Sequence, residues 1–240
     1  MVAGTRLVDA PTIYFIPGTQ CDEQLWQWLW PQFPDLNCRH LAIPVGASVA
    51  DVVDGLVAQL PANPVAVFGF SLGGYLAAAL ALAAPDRIER LFVCANSACA
   101  LPTQEILQRQ QLIHAIDRFG YRGLHDNKIA QMVAPENLSS SAIADCMKAM
   151  DQRLGVDNLI QQLRVTSERL DLQAALASLE IPITYCYGEQ DKLVSESWVA
   201  ALVKRNQWVR QCVIPGSGHM LPLEQPEKLA RAIKSWLAPQ

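Results

Sequence analysis

The most constraining feature of this chain is a rhythm: short apolar runs of strand type alternate with segments of helical period, each pair joined by a tight turn. Parallel strands need a long crossover connection, usually a helix, so this alternation predicts βαβ units and excludes an all-β sandwich or a simple helical bundle. The strand-like runs are Thr12–Ile16, Cys38–Ile43, Val65–Phe70, Ile88–Ala95, Ile183–Tyr187 and Trp208–Ile214. Helical periodicity falls at Asp22–Phe33, Val49–Leu60, Leu72–Ala83, Glu196–Lys204 and Pro226–Leu237. Pro34, Pro61 and Pro85 follow helices as stop signals, and Pro226 occupies a first-turn position where its missing N–H costs nothing. The expected fold class is α/β, with a mostly parallel central sheet and helices on both faces.

The rhythm breaks between Ala100 and Leu179. Here the apolar positions step by three or four, as in Ile143, Met147, Met150, Leu154 and then Leu159, Leu163, Thr166, Leu170, with no convincing strand. Because strands resume at Ile183, the helical stretch interrupts one sheet domain and should sit on it as a cap. The expected division is a core of residues 1–100 and 171–240 with a helical insertion at 101–170.

Composition narrows the class of partner. With 51% hydrophobic residues, 19 Lys+Arg and 23 Asp+Glu, the formal net charge is −4 and no basic stripe forms, which argues against nucleic acid. No apolar run approaches the roughly 18 residues that span a bilayer, and Met1–Asp9 has no apolar stretch of signal-peptide length, so a cytoplasmic protein with no membrane partner is expected. Seven cysteines, an odd number without close pairing, fit neither a disulfide framework nor a zinc site. Cys94, Cys186 and Cys212 lie in strand runs as buried thiols, and Cys21 in a loop is read as packing.

The chemistry concentrates in Gly69-Phe70-Ser71-Leu72-Gly73, followed by Gly74, between a strand and an Ala-rich helix. A serine on a sharp strand-to-helix turn is lifted above the sheet edge and aimed at helix N–H groups that stabilise developing negative charge. A serine hydroxyl needs a base, and the base needs an orienting carboxylate. Of four histidines, His40 lies in a strand and His114 and His125 in the helical stretch. His219, in Pro215-Gly216-Ser217-Gly218-His219-Met220, lies past the last strand at the edge where ligands bind in open parallel sheets. Asp191, in the turn after Ile183–Tyr187, completes the order Ser, Asp, His, with Glu189 as its nearest rival. The N–H of Leu72 is the expected first oxyanion donor; the second is Thr19 N–H in Pro17-Gly18-Thr19, with Gly18 allowing close backbone approach.

On these residues the chain resembles the α/β-hydrolase superfamily, and within it is similar to compact bacterial carboxylesterases of the pimeloyl-carrier methyl esterase type. The resemblance is carried by Gly69–Gly74, Gly188 with Asp191, Gly218-His219, Pro85-Asp86-Arg87-Ile88 and the helical insertion after that strand. It implies a hydrolase needing no cofactor, with Ser71, Asp191 and His219 as a triad. The leading expectation is a serine esterase acting on a small-molecule carboxylic ester or thioester of a small to medium acyl group, as a monomer or homodimer and without a metal. Two stretches depart from the pattern: Pro17-Gly18 replaces the usual His-Gly, and Pro44-Val45-Gly46-Ala47-Ser48 replaces the usual Pro-Gly-x-Gly-x-Ser. Serine at position 71, where haloalkane dehalogenases carry aspartate, argues against dehalogenation.

Residues of the insertion expected to face the pocket are Phe119, Met132, Met147 and Met150, with Met220 beside the base, although packing within the insertion accounts for the same pattern. Trp26, Trp28 and Trp30 step by two and cannot share one face of a helix. Two other functions fit the same residues. One is a lyase or synthase of the menaquinone-pathway type using the triad for proton abstraction, a group that usually carries Arg where this chain has Tyr75; the other is a ligand receptor without turnover.

Overall fold

The computed structural model describes residues 10–238; the expectation for Met1–Asp9 lies outside them. Six strands form one sheet: β1 (Thr12–Ile16), β2 (Asn37–His40), β3 (Val65–Phe70), β4 (Ile88–Cys94), β5 (Ile183–Gly188) and β6 (Val209–Ile214). Their order is β2-β1-β3-β4-β5-β6 and every pairing is parallel. β3 is buried at all six positions because helices cover both its faces, which is why it reads as an unbroken apolar run. Its side chains alternate between two apolar layers: Ala66, Phe68 and Phe70 join Phe15, Trp26, Phe92 and Trp236 on one face, while Val65 and Val67 join Leu76, Val93, Tyr185 and Tyr187 on the other.

The helices follow from local chemistry. α1 (Val49–Gln59) starts on a reciprocal capping box in which Ser48 Oγ accepts from Asp51 N and Asp51 Oδ2 accepts from Ser48 N. α2 (Leu72–Ala83) is apolar nearly all round and is buried behind β3 and β4. Between β4 and β5 the chain is helical: α3 (Thr103–Phe119), α4 (Asp126–Met132), a 3-10 turn at Pro135–Asn137, α5 (Ser141–Ser167) and α6 (Gln173–Leu176). α7 (Glu196–Arg205), α8 (Leu221–Glu224) and α9 (Pro226–Leu237) complete the fold. Among the described residues no helix is long and apolar enough to cross a membrane.

Three expectations are corrected. Asp22–Phe33 is not an α-helix but two 3-10 turns, Glu23–Trp26 and Trp30–Gln32, since Pro31 lies inside the segment and cannot donate to a continuing helical ladder. Trp26 and Trp30 stack at 6.5 Å between centroids, with Trp26 fully buried against Phe15 and Phe68. β2 stops at His40 instead of Ile43, and as an edge strand it is only half-buried. The periodic series of the insertion ends earlier than expected, because α5 closes at Ser167 and Leu170 is 73% exposed.

Candidate functional site

The turn carrying Ser71 is under backbone strain. Ser71 has φ 52 and ψ −117, a conformation that costs a non-glycine residue about 1–3 kcal/mol and persists only where the surroundings impose it. The surroundings here are the strand end and the glycines. Ser71 N donates to Cys94 O at 2.8 Å, extending the β3–β4 ladder by one residue before the chain turns into α2. A Cβ on Gly69 would lie 2.1 Å from Gly73 O, and one on Gly73 would lie 2.3 Å from the carbonyl oxygens of Ile16 and Pro17. Both positions therefore exclude any side chain, and the tight approach seats Ser71 beside the end of β1.

His219 and Asp191 reach that serine from two further loops at the same sheet edge. His219 Nε2 lies 2.8 Å from Ser71 Oγ, and His219 Nδ1 lies 2.9 Å from Asp191 Oδ2. Both the imidazole and the carboxylate are buried. The other carboxylate oxygen, Oδ1, accepts from Leu193 N at 2.9 Å, so Asp191 has a fixed orientation without any Lys or Arg among its ion pairs in the described residues. Because a carboxylate can only accept, it selects the imidazole with its proton on Nδ1 and its lone pair on Nε2, aimed at the hydroxyl. The Phe70 ring packs 5.4 Å from the imidazole and limits its rotation. Gly188 is needed for this convergence, since a Cβ there would lie 2.1 Å from Gly218 O. Glu189, the rival carboxylate, is not among the hydrogen-bond partners of His219.

Gly18 also lies against the serine, with a hypothetical Cβ 3.1 Å from Ser71 Cβ and 2.9 Å from the Phe70 ring. Thr19 follows it, half-buried, and Leu72 opens α2 directly after Ser71. Cys21 is buried and burial pushes its thiol far up, so it is a packing residue with no tendency to ionise. Of the expected pocket residues, Met147, Met150 and Met220 are buried in the apolar layer that contains Phe70 and Phe92. Met132 is half-buried, packs on that layer, and accepts at its carbonyl from His219 N at 2.7 Å. Phe119 is the exception: it is 66% exposed at the last residue of α3, under the guanidinium of Arg118. α3 ends at Phe119, and Gly120 follows at φ 77.

Two organising carboxylates lie outside the sequence motifs. Glu224 Oε2 accepts from Ala134 N, Asn137 Nδ2 and Gly218 N at 2.7, 2.9 and 3.0 Å, while Oε1 accepts from Met220 N at 2.9 Å. It thus grips the backbone on both sides of His219 and ties it to the 3-10 turn after α4. Asp151, buried on α5, accepts from Gln20, Tyr121 and Leu124. The available signal was a charge in an apolar setting: Glu224 ends Leu221-Pro222-Leu223, and Asp151 sits at i+4 from Met147 on the apolar stripe.

Comparison with known proteins follows the same lines. A family model described as the alpha/beta hydrolase family matches residues 14–232. The pimeloyl-[acyl-carrier protein] methyl ester esterase of Pectobacterium carotovorum subsp. carotovorum (strain PC1) is 27% identical over 244 residues, covering 92% of each chain. The 2-succinyl-6-hydroxy-2,4-cyclohexadiene-1-carboxylate synthase of Enterobacter sp. (strain 638) is 26% identical over 262 residues, covering 93% of this chain and 90% of its own. Among solved structures, a thermophilic esterase from Thermogutta terrifontis superposes with a TM-score of 0.82 at 20% identity, covering 95% of this chain and 89% of that one. The match across the fold, with the similarity to compact bacterial esterases, shows that this chain belongs to the alpha/beta hydrolase family.

Proposed function

We propose that this protein is a serine esterase that cleaves a carboxylic ester or thioester of a small to medium acyl group. The observation that carries the reading is the continuous hydrogen-bonded line from Asp191 through His219 to Ser71, aimed by a strained turn at the mouth of the sheet. In this reading Ser71 Oγ attacks the acyl carbonyl while His219 Nε2 takes its proton. The tetrahedral oxyanion is held by the N–H groups of Leu72 and Thr19, and collapse expels the alcohol or thiol, which receives the proton from His219. Water, activated by the same imidazole, then attacks the acyl-enzyme, and its collapse releases the acid and restores Ser71. Asp191 keeps the imidazole in the productive tautomer and stabilises the imidazolium formed in each step. Residues 101–170 act as the cap that roofs the acyl site, and the free state of all seven cysteines supports a reducing, cytoplasmic setting.

One observation favours a second reading. The relative named as a synthase leaves open a lyase in which the same serine and histidine abstract a proton. Against it stands Tyr75, buried and hydrogen-bonded to Leu170 O at 3.1 Å, at the position where that group usually has Arg.

The test is hydrolysis of p-nitrophenyl esters from acetate to decanoate, with Ser71→Ala in parallel. Turnover that disappears in the variant is the expected result, and the chain-length optimum sizes the acyl site. Full turnover by Ser71→Ala, or none by the folded wild type on any ester, overturns the esterase reading.

A further inference from the structure

The loop that carries Thr19 is anchored to the helical segment as well as to the sheet, and the anchor is Gln20. Gln20 is the residue after Thr19 and has φ 53, a left-handed conformation that a non-glycine side chain adopts only when something holds it. Its backbone N–H donates to Gln162 Oε1 at 3.0 Å, and Gln162 is 4% exposed. The Gln20 carboxamide donates from Nε2 to Asp151 Oδ1 and to Gly155 O, both at 3.0 Å, and its Oε1 accepts from Asn158 Nδ2. Each of these partners is on α5.

The helix is shaped for this contact. α5 breaks at Gly155, with φ 74 and ψ 174, and the carbonyl at the break is one of the acceptors of Gln20 Nε2. Asp151 is 2% exposed and has no Lys or Arg partner among the ion pairs of the described residues. Three neutral donors satisfy it instead: Gln20 Nε2 and Tyr121 OH on Oδ1, and Leu124 N on Oδ2. A carboxylate without a counter-ion is costly to bury unless its lone pairs are filled, so Gln20 and Asp151 stabilise each other's placement.

We propose that Gln20, Gln162 and Asp151 are positioning residues for acyl transfer: by clamping Gln20 they hold the adjacent Thr19 N–H where the oxyanion develops. The inference rests on the esterase reading and adds to it that the helical segment sets the geometry of the oxyanion site. Losing the clamp weakens an interaction made only in the transition state, so kcat falls while KM stays.

Gln162→Leu removes the acceptor for Gln20 N–H at nearly constant volume, and Gln162→Glu keeps it. With the preferred p-nitrophenyl ester, Gln162→Leu lowers kcat about 10- to 100-fold with KM within about twofold. Its inhibition constant for phenylboronic acid, whose adduct with Ser71 is tetrahedral, rises in parallel, and Gln162→Glu recovers most of the loss. Should Gln162→Leu fail to fold, Gln20→Met, which changes only the loop, decides by the same kcat–KM split. Wild-type kcat in the folded Gln162→Leu or Gln20→Met variant overturns the clamp, as does an equal loss in Gln162→Leu and Gln162→Glu. In those outcomes an active wild type leaves the esterase reading standing, whereas a wild type that turns over no ester overturns both.

Discussion

His219 Nδ1 is held 2.9 Å from Asp191 Oδ2, and that single contact sets which imidazole nitrogen faces Ser71. Asp191→Asn keeps the size of the side chain but presents a carboxamide that can donate, which admits the imidazole tautomer with its proton on Nε2. The expected outcome is a loss of kcat on the order of 10³- to 10⁴-fold with the fold intact. Steady-state ester hydrolysis together with a circular-dichroism melt checks it, and a loss below tenfold contradicts the role given to Asp191.

The strain at Ser71 predicts an order of stability. Ser71→Ala retains a Cβ at φ 52, whereas Ser71→Gly removes it. Both variants should be inactive, but Ser71→Gly should be the more stable of the two by about 1 kcal/mol, or roughly 2–4 °C in melting temperature. Equal melting temperatures would show that the turn is not strained in solution.

Glu224 is the acceptor for the backbone on both sides of His219. Glu224→Gln replaces one accepting oxygen with a donor, leaving at least one buried N–H unpaired, so unfolding should become easier by about 1–3 kcal/mol. Urea denaturation measures the loss. Because Gly218 and Met220 flank His219, ester turnover should fall in the folded variant as well.

Cys186 and Cys212 are register partners on β5 and β6. Cys186 is buried with its thiol raised well above the ordinary value, and the neighbouring Cys212 thiol is lowered to about 7 from an ordinary 9.0 by its interaction with Cys186. The thiolate form accumulates above that value, so alkylation of Cys212 should rise between about pH 6 and 8. Cys186→Ala removes the neighbouring thiol and should move the rise upward, toward pH 9. Iodoacetamide labelling across pH, with the site located by mass spectrometry, reads both; identical profiles would contradict the pairing.

The parts legible in the sequence were those written in local patterns. β3 is a short apolar run and Gly69–Gly73 a fixed spacing, so the serine turn was readable before any contact was known. His219 and Asp191 were readable because chain order and strand ends restrict the choice of loops. What was not legible depends on contacts between distant segments. Gln20 meets α5 across 131 to 142 residues of chain, and nothing in Pro17–Cys21 alone announces it. Phe119 failed for the opposite reason, since an apolar residue at a helix end carries no periodic information about which way it faces. Asp22–Phe33 carries apolar spacing that fits a helix, but in the folded chain the missing N–H of Pro31 ends any continuous ladder.

β4 and β5 are hydrogen-bonded neighbours, Leu91 beside Ile183, although the entire helical segment separates them along the chain. The sheet register is therefore indifferent to what is spliced between these strands, and closing a longer or shorter connection changes the free energy only slowly, by about 0.6 kcal/mol per doubling. The length of the segment can therefore change while the sheet stays in place. The segment docks on the rest of the chain at several points, among them the acceptors that receive Gln20, the Ala134 N–H that meets Glu224 and the Met132 carbonyl that accepts from His219 N.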